Sequence, residues 1–413
     1  MEYVNPGKKS HFYYLLLVAF SSFGFFRPIF LNDLVLKHLL GFYIDVVLLL
    51  FLLAVPVVFR NVFFMKNYLF TLPVRLLGLS IIFSIMMAYF FWGQGIMDNI
   101  FSEISIICYL LYFYLMAKNI PVKIVEKVII IVGITYVCFY LISFAINPVK
   151  IFEYKESNDR DFLRIFLFGD GFLFLFYFLA LNKYMFSKSK IWLMMALLTC
   201  LCIILNQTRV YMIAVAIITV FYLLGSKKIV VKFLVVAVVI TALIIVPQLD
   251  FVKNLQKRTQ SELKKSDDYI RVKAAKYYID DFQPSAATKI FGNGFPMPET
   301  YFGKTITNLH EKRGYFVQDI GLVGLYTTMG VIAVIAFLII FYRGVKVKLT
   351  EDYVYLKLFI IFLIATSLTT DDTFSGSYVI AIVFTLYLYE HCRVEAQQMV
   401  FISTNVSTPT ISN

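Results

Sequence analysis

Charge is what this sequence has least of. Only 15% of its 413 residues are Asp, Glu, Lys or Arg, whereas water-soluble globular domains carry nearer a quarter. Sixty percent of residues are hydrophobic and the mean hydropathy is +0.78, so one core cannot hide the apolar surface and lipid must solvate it. Cysteine is also scarce. Of five, Cys108, Cys138, Cys200 and Cys202 fall inside apolar runs and Cys392 follows the last run. None lies in the one long hydrophilic segment, which excludes a disulfide framework there. Cys200-x-Cys202 has no His or second Cys pair near it, which excludes a zinc site. That segment also lacks an Asp-x-Asp, and nothing demands a metal or a cofactor. The first apolar run, after Lys8 and Lys9, is long and has no small-residue cleavage site, so it reads as an uncleaved first helix. No internal repeat is present.

What the sequence does have is long apolar runs, at 12–30, 39–58, 72–92, 99–117, 124–146, 163–182, 190–206, 208–224, 229–247, 317–342, 353–370 and 375–391. Spans of about 20 residues suit a bilayer, so the expected fold class is an all-α integral membrane protein of about 12 transmembrane helices. The linkers alternate in charge. One set carries Lys8 and Lys9, then Arg60 and Lys66, Lys118 to Lys127, Lys183 to Lys190, Lys227 to Lys232, and Arg343 to Lys348. The other set is poor in Lys and Arg, except around Lys150–Arg164. The positive-inside rule then puts both termini in the cytoplasm. The net charge of +12 comes from these short clusters, which suit anionic lipid headgroups rather than nucleic acid.

The organisation expected is helices 1 to 9 over 1–247, a large extracytoplasmic loop over 248–316, helices 10 to 12 over 317–391, and a cytoplasmic tail over 392–413. Within the loop, Ile270, Ala274, Tyr277, Tyr278 and Phe282 recur at helical spacing across Asp268–Phe282. They predict a short amphipathic helix on the membrane face or against the bundle. Pro284 ends it, and Gly292-Asn-Gly294 with Pro296-x-Pro298 predicts an irregular stretch leading to His310.

A few polar residues interrupt the apolar pattern. Arg209, in Asn206-Gln-Thr-Arg209, sits in a turn between two short apolar runs. A charge at mid-membrane costs on the order of 2.5–3.5 kcal/mol by insertion scales, so an Arg at this depth needs a partner or an interfacial position. Asp170 stands between two glycines in an aromatic, apolar run, and Arg164, about a turn and a half before it on a helix, is its candidate partner. Arg271 falls on the loop helix and His310 near the loop's end. Asp45, Glu103 and Asp371-Asp372 read as markers of span ends.

Taken together, the order of these pieces resembles the O-antigen polymerase and O-antigen ligase superfamily of bacterial membrane glycan transferases. The carriers are the Thr-Arg209 turn before the eighth span, Asp268-Tyr-Ile-Arg271 on a loop helix, Phe291-Gly-Asn-Gly294, and His310-x8-Asp319-Ile-Gly321-Leu-Val-Gly324 entering the tenth span. The segment from Arg164 is similar to a family pattern that ends in Pro-Asn, where Asp170-Gly stands here. The likeness covers mainly residues 160–330.

The resemblance implies a GT-C-like architecture and transfer of a glycan from a polyprenyl-diphosphate-linked oligosaccharide to an acceptor hydroxyl. The reaction would occur at the outer face of the bacterial cytoplasmic membrane, without metal or cofactor. Arg209, Arg271 and His310 would be catalytic, the arginines on the diphosphate and His310 as general base or acceptor-orienting group. Arg164, Asp170, Asp319, Gly292 and Gly294 would contact substrate, with Asp319 orienting His310 or binding sugar hydroxyls. Implied partners are membrane lipid and the chain-length regulator and flippase of the same pathway; nucleic acid is not among them. The product would be O-antigen, capsule or another exopolysaccharide. Polymerase is the favoured activity. The alternatives are an O-antigen ligase, which delivers a finished chain to a lipid acceptor, and a lipid-linked oligosaccharide flippase, whose polar residues belong nearer the bilayer midplane. A scaffolding protein would not need the Arg, Arg, His order.

Overall fold

The structure, a computed structural model, describes residues 6–26, 54–147, 149, 151–152, 155–157, 164–225, 232 and 269–406. The first part of the expected second span with Asp45, the ninth span at 229–247 apart from residue 232, residues 248–268 and the tail's end lie outside the described residues. The described residues are almost all helical. Helix α1 runs Pro6–Ser22, α2 Ala54–Phe64 and α3 Thr71–Trp92. Helix α4, Ile96–Ile107, continues through one 3-10 turn into α5, Leu111–Lys118, and α6 is Val122–Ala145. Next come α7 Asp170–Ser187, α8 Lys190–Asn206 and α9 Arg209–Leu224. Then come α10 Ile270–Asp280, α11 Ala286–Phe291 and α12 Tyr301–Arg313. The chain then gives α13 Leu322–Lys346, α14 Val354–Thr366 and α15 Gly376–Val406.

Among the described residues four helices are long and apolar enough to cross a membrane: α3, the α4–α5 rod, α6 and α13. The chain is a membrane protein. Helix α7 lies at the centre, with every residue from Gly171 to Asn182 buried; α6, α8, α14 and α15 surround it. A helix apolar on all sides has no solvent face to present, and an interior position is the one its composition allows.

Two expectations are corrected here. The sixth span does not start at 163: residues Arg164–Phe166 form a strand, β2, paired antiparallel with β1, Lys155–Ser157, with Ser157 opposite Arg164. Tyr140 and Tyr136 hydroxyls donate to the carbonyls of Ile165 and Leu167 at 3.2 and 3.0 Å, so α6 itself holds this backbone extended. The helical spacing proposed for Arg164 and Asp170 therefore does not apply, and the Arg164 side chain lies outside the described residues. The irregular stretch expected to lead to His310 is helical from Tyr301 onward, as helix α12. Thr300 caps it by accepting from the Gly303 amide at 3.1 Å, and Gly314 closes it in the left-handed region at φ +67°. Those two signals lay in the sequence, overshadowed by the glycines and prolines just before them.

Helices α10 and α12 enclose a second small core, in which Ala274, Tyr278 and Phe282 of α10 and its end meet Phe302, Ile306 and Leu309 of α12. Trp92, the last residue of α3, stacks on Phe302 and Phe282 with centroids 4.6 and 5.2 Å away. Of the two positions left open for the amphipathic helix, α10 takes the one against the bundle.

Short helix α11 wedges between α3 and α13 at a break in α13, where Gly330 has φ +75° and ψ 179°. The interrupted turn leaves carbonyls without intrahelical donors, a state tolerated in a membrane only where neighbours satisfy them. The Asn293 amide reaches Thr327 O at 3.0 Å, the Gly294 amide reaches Thr328 O at 2.9 Å, and the Ser80 hydroxyl donates to Met329 O. A Cβ on Gly292 would collide with Thr328 O, and one on Gly330 with Ile290 O. Two backbones cross here at a separation only glycine permits.

Candidate functional site

A cavity of about 1050 Å³ opens where the N-terminal turns of α7, α9 and α10 converge. Asp170, Arg209, Arg271 and Asp319 all line it, together with Asp371 and the aromatic residues Phe168, Tyr211, Tyr269, Phe316 and Tyr378. Phe168 and Tyr378, 210 positions apart in sequence, are thereby brought to one space.

Each arginine occupies the first turn of its helix. Arg209 is the first residue of α9 and Arg271 the second of α10. The helix macrodipole makes that end positive, so a cation there is disfavoured by roughly 0.3–1 kcal/mol in the absence of an anion. The same end, with its outward amide groups, is a ready anion site. Two such turns bearing arginine on one cavity form a cradle for a polyanionic group. Arg271 has a partner in place, Asp319 Oδ2 at 3.5 Å from its Nη2.

Asp170 opens α7, where a carboxylate is favoured by the dipole, and Tyr378 donates its hydroxyl to Asp170 Oδ2 at 3.3 Å. Nearby, the Tyr211 hydroxyl donates to Asp372 Oδ1 at 2.7 Å. Asp372 is fully buried and Asp371 lines the cavity. These acids and tyrosines belong to the site's surroundings, a role the reading of Asp371-Asp372 as a span-end marker missed. The available signal was two adjacent acids following an apolar run, a costly placement without partners.

His310 stands one side chain back. It lies in the last turn of α12 and stacks on Phe316, centroids 4.9 Å apart at 27°. Phe316 lines the cavity and His310 is not among the lining residues. Its Nε2 is buried without a hydrogen-bond partner among the described residues. Burial lowers its pKa below 6.5, opposed by the weaker pull of the Asp319 carboxylate.

Gly292 and Gly294 are not brought to the cavity; they serve the crossing with α13. A Cβ on Gly294 would meet Ala88 and Glu103. Glu103 is fully buried within α4 and accepts from the Ser84 hydroxyl at 3.2 and 3.1 Å. Gln94 ties the same stretch down, donating to Phe295 O at 2.9 Å and accepting from the Met297 amide and Thr300 hydroxyl, each at 3.0 Å. The glycine turn is thus riveted to the α3–α4 hairpin. Among the described residues no group of three or more His, Cys, Asp or Glu is placed to hold a metal ion.

No protein-family model matches this sequence, and no curated protein matches it either. The site must therefore be read from its own chemistry. Its arginines suit phosphate oxygens, since a guanidinium is fixed in charge and forks to two acceptors. Its acids and tyrosines suit hydroxyl groups.

Proposed function

We propose that the chain is a glycan transferase that polymerises polysaccharide repeat units carried on polyprenyl diphosphate. The observation that carries this reading is the presence of Arg209 and Arg271, each in the first turn of its helix, on one cavity. The resemblance of the Arg, Arg, His order to the O-antigen polymerase and ligase superfamily supplies the donor class. In this reading about a dozen spans leave both termini in the cytoplasm and the cavity at the outer face of the cytoplasmic membrane. The net positive linkers at the opposite ends of the spans support that orientation.

In the reaction an acceptor hydroxyl oxygen attacks C1 of the donor's first sugar, and the bond from C1 to the diphosphate oxygen breaks. Negative charge grows on the departing diphosphate, and the two arginines with their helix termini stabilise it. Donors aimed at developing charge in a water-poor site are often a catalyst's largest contribution. A cavity of this volume sits at the upper end of ligand pockets, roughly 300–1,000 Å³, with room for sugars beside the diphosphate. Its polar lining gathers at span ends and loop residues rather than along mid-span positions, which favours an enzyme over a transporter.

The test is the length of surface polysaccharide on gels from cells whose own gene is replaced by Arg209→Ala or Arg271→Ala at matched protein level. Collapse of the ladder to single repeat units is expected. A normal ladder from both variants sinks the reading. Accumulation of finished chains that never reach their lipid acceptor would instead identify a ligase using the same site.

A further inference from the structure

The transferase reading needs a place for the acceptor's proton, and His310 is not in reach of it. Its ring stands behind Phe316, and it lies outside the cavity lining. Asp170 does line the cavity, together with both arginines. Its immediate neighbours explain its placement. Gly171 meets the start of α15 so closely that a Cβ there would lie 2.6 Å from Ser377 O. Gly169, at φ +100°, turns its amide onto the Ser377 hydroxyl at 3.2 Å. The Gly-Asp-Gly sequence therefore lets α15 close against α7, and that contact delivers the Tyr378 hydroxyl to Asp170 Oδ2. Tyr378 is itself 1% exposed, so the carboxylate is held by a group that cannot swing away.

We propose that Asp170 is the general base of this site and that His310 is a positioning residue acting through Phe316 and Asp319. The inference rests on the transferase reading. In the step, the acceptor O–H bond breaks and its proton passes to the Asp170 carboxylate. The oxygen's electron pair forms the new bond to C1 as the bond from C1 to the diphosphate breaks. The leaving pair stays on the diphosphate oxygen, between Arg209 and Arg271. Asp170 then returns its proton to water, and polyprenyl diphosphate departs. A carboxylate offers about four acceptor positions, so the hydroxyl of Tyr378 leaves capacity for the acceptor. Asp371, on the cavity wall, and Asp372, held by Tyr211, share the corner with Asp170.

The test uses purified full-length chain in detergent. The donor is the lipid-linked repeat unit extracted from the chain's own host after disruption of its gene. Wild type, Asp170→Asn, Asp170→Glu, Tyr378→Phe and His310→Gln are compared for kcat, donor KM and the pH profile of kcat. General-base catalysis contributes roughly 10²–10⁴-fold. Asp170→Asn is expected to lose at least about 100-fold in kcat with donor KM within about threefold, and to lose the acid limb of the profile. Asp170→Glu should recover part of the rate with a displaced acid limb. His310→Gln should keep the acid limb where wild type has it, whatever its rate.

The proposal is overturned if Asp170→Asn turns over within about threefold of wild type, or if His310→Gln is the variant that abolishes the acid limb. Should Asp170→Asn fail to elute as folded protein, Asp170→Glu and Tyr378→Phe decide: an unmoved acid limb and unchanged kcat in both overturns it. If wild type forms no product from this donor, the transferase reading falls and the role of Asp170 falls with it.

Discussion

Arg271 Nη2 lies 3.5 Å from Asp319 Oδ2, joining the first turn of α10 to the turn that leads into α13. Both side chains keep more than a third of their surface exposed, 38% and 50%. An ion pair of that kind contributes about 0–1 kcal/mol, far less than a buried one. Arg271 can therefore leave Asp319 at small cost, and under the transferase proposal Asp319 is a placeholder that keeps the guanidinium on the cavity until the donor's diphosphate takes it.

Replacing Asp319 by Asn should then change stability by less than about 1 kcal/mol while strengthening the hold on the donor. The expected result is a donor KM lowered a few-fold at low ionic strength. Because exposed charges are screened over a Debye length of about 8 Å at physiological salt, the gain should shrink as salt is raised. A donor KM that rises in Asp319→Asn would show that the carboxylate binds substrate itself.

Arg209→Ala and Arg271→Ala should each lower kcat/KM by about 10²–10³-fold, the scale for removing one donor to a developing oxyanion. Lysine at either position should recover less than a tenth of the loss, because its point charge cannot reproduce a two-pronged contact. Near-complete rescue by lysine would mean that only charge matters there.

His310 makes a prediction about pH. Its folded-state pKa is lowered by burial, so the folded protein prefers the neutral ring more than the unfolded chain does. The unfolded state then binds more protons in this range, and stability rises with pH. The contribution is fully present above the ordinary value of about 6.5 and is lost as pH falls below it. Melting curves in detergent at about pH 7.5 and 5 should show a smaller drop for His310→Gln than for wild type. Asp319→Asn should steepen the wild-type drop, since the carboxylate is the group pulling that pKa back up.

The break in α13 makes another. Gly330→Ala and Gly292→Ala each place a methyl group against a backbone carbonyl, at positive φ, where nothing flexible can yield. Both should lower the melting temperature and folded yield, with the donor KM of the surviving protein unchanged. Asn293→Ala leaves the backbone amide on Thr327 O but removes the side-chain donor to Thr327 O and Gln283 Oε1 and the acceptor of Trp92 Nε1, and should cost about 1–3 kcal/mol, the range for leaving a buried polar group without its partner. Melting temperatures within error of wild type for all three would show that the crossing is not under tension.

How much of this was legible in the sequence differs from residue to residue. Arg209 and Asp170 stood out because a charge in an apolar run is costly, so composition alone marks it. Thr300 and Gly314 carried the ends of α12 but were outweighed by nearby turn formers. Tyr211 and Tyr378 carried no signal, because a tyrosine in an aromatic-rich chain looks the same whether it faces lipid or holds a carboxylate. Gly292 and Gly294 looked like a ligand turn; only the approach of α13 to Gly292, and of α3 and α4 to Gly294, shows what their missing side chains accommodate. The strand at Arg164–Phe166 was hidden because what holds it lies elsewhere in the chain: β1 at Lys155–Ser157, the Tyr140 hydroxyl on Ile165 O and, just beyond the strand, the Tyr136 hydroxyl on Leu167 O.

By itself the sequence determined that this is a helical membrane protein with polar chemistry confined to a few places. Hydrophobic free energy is summed over local runs, and a run of 20 residues declares itself without knowing its neighbours. The tertiary structure alone decided that Arg209 and Arg271 share one cavity, that Arg271 rests on Asp319, that Tyr378 holds Asp170, and that His310 stands behind Phe316. Those relations are hydrogen bonds, ion pairs and ring contacts a few ångströms long, several of them between residues far apart in the chain, and no local pattern encodes which distant partner arrives.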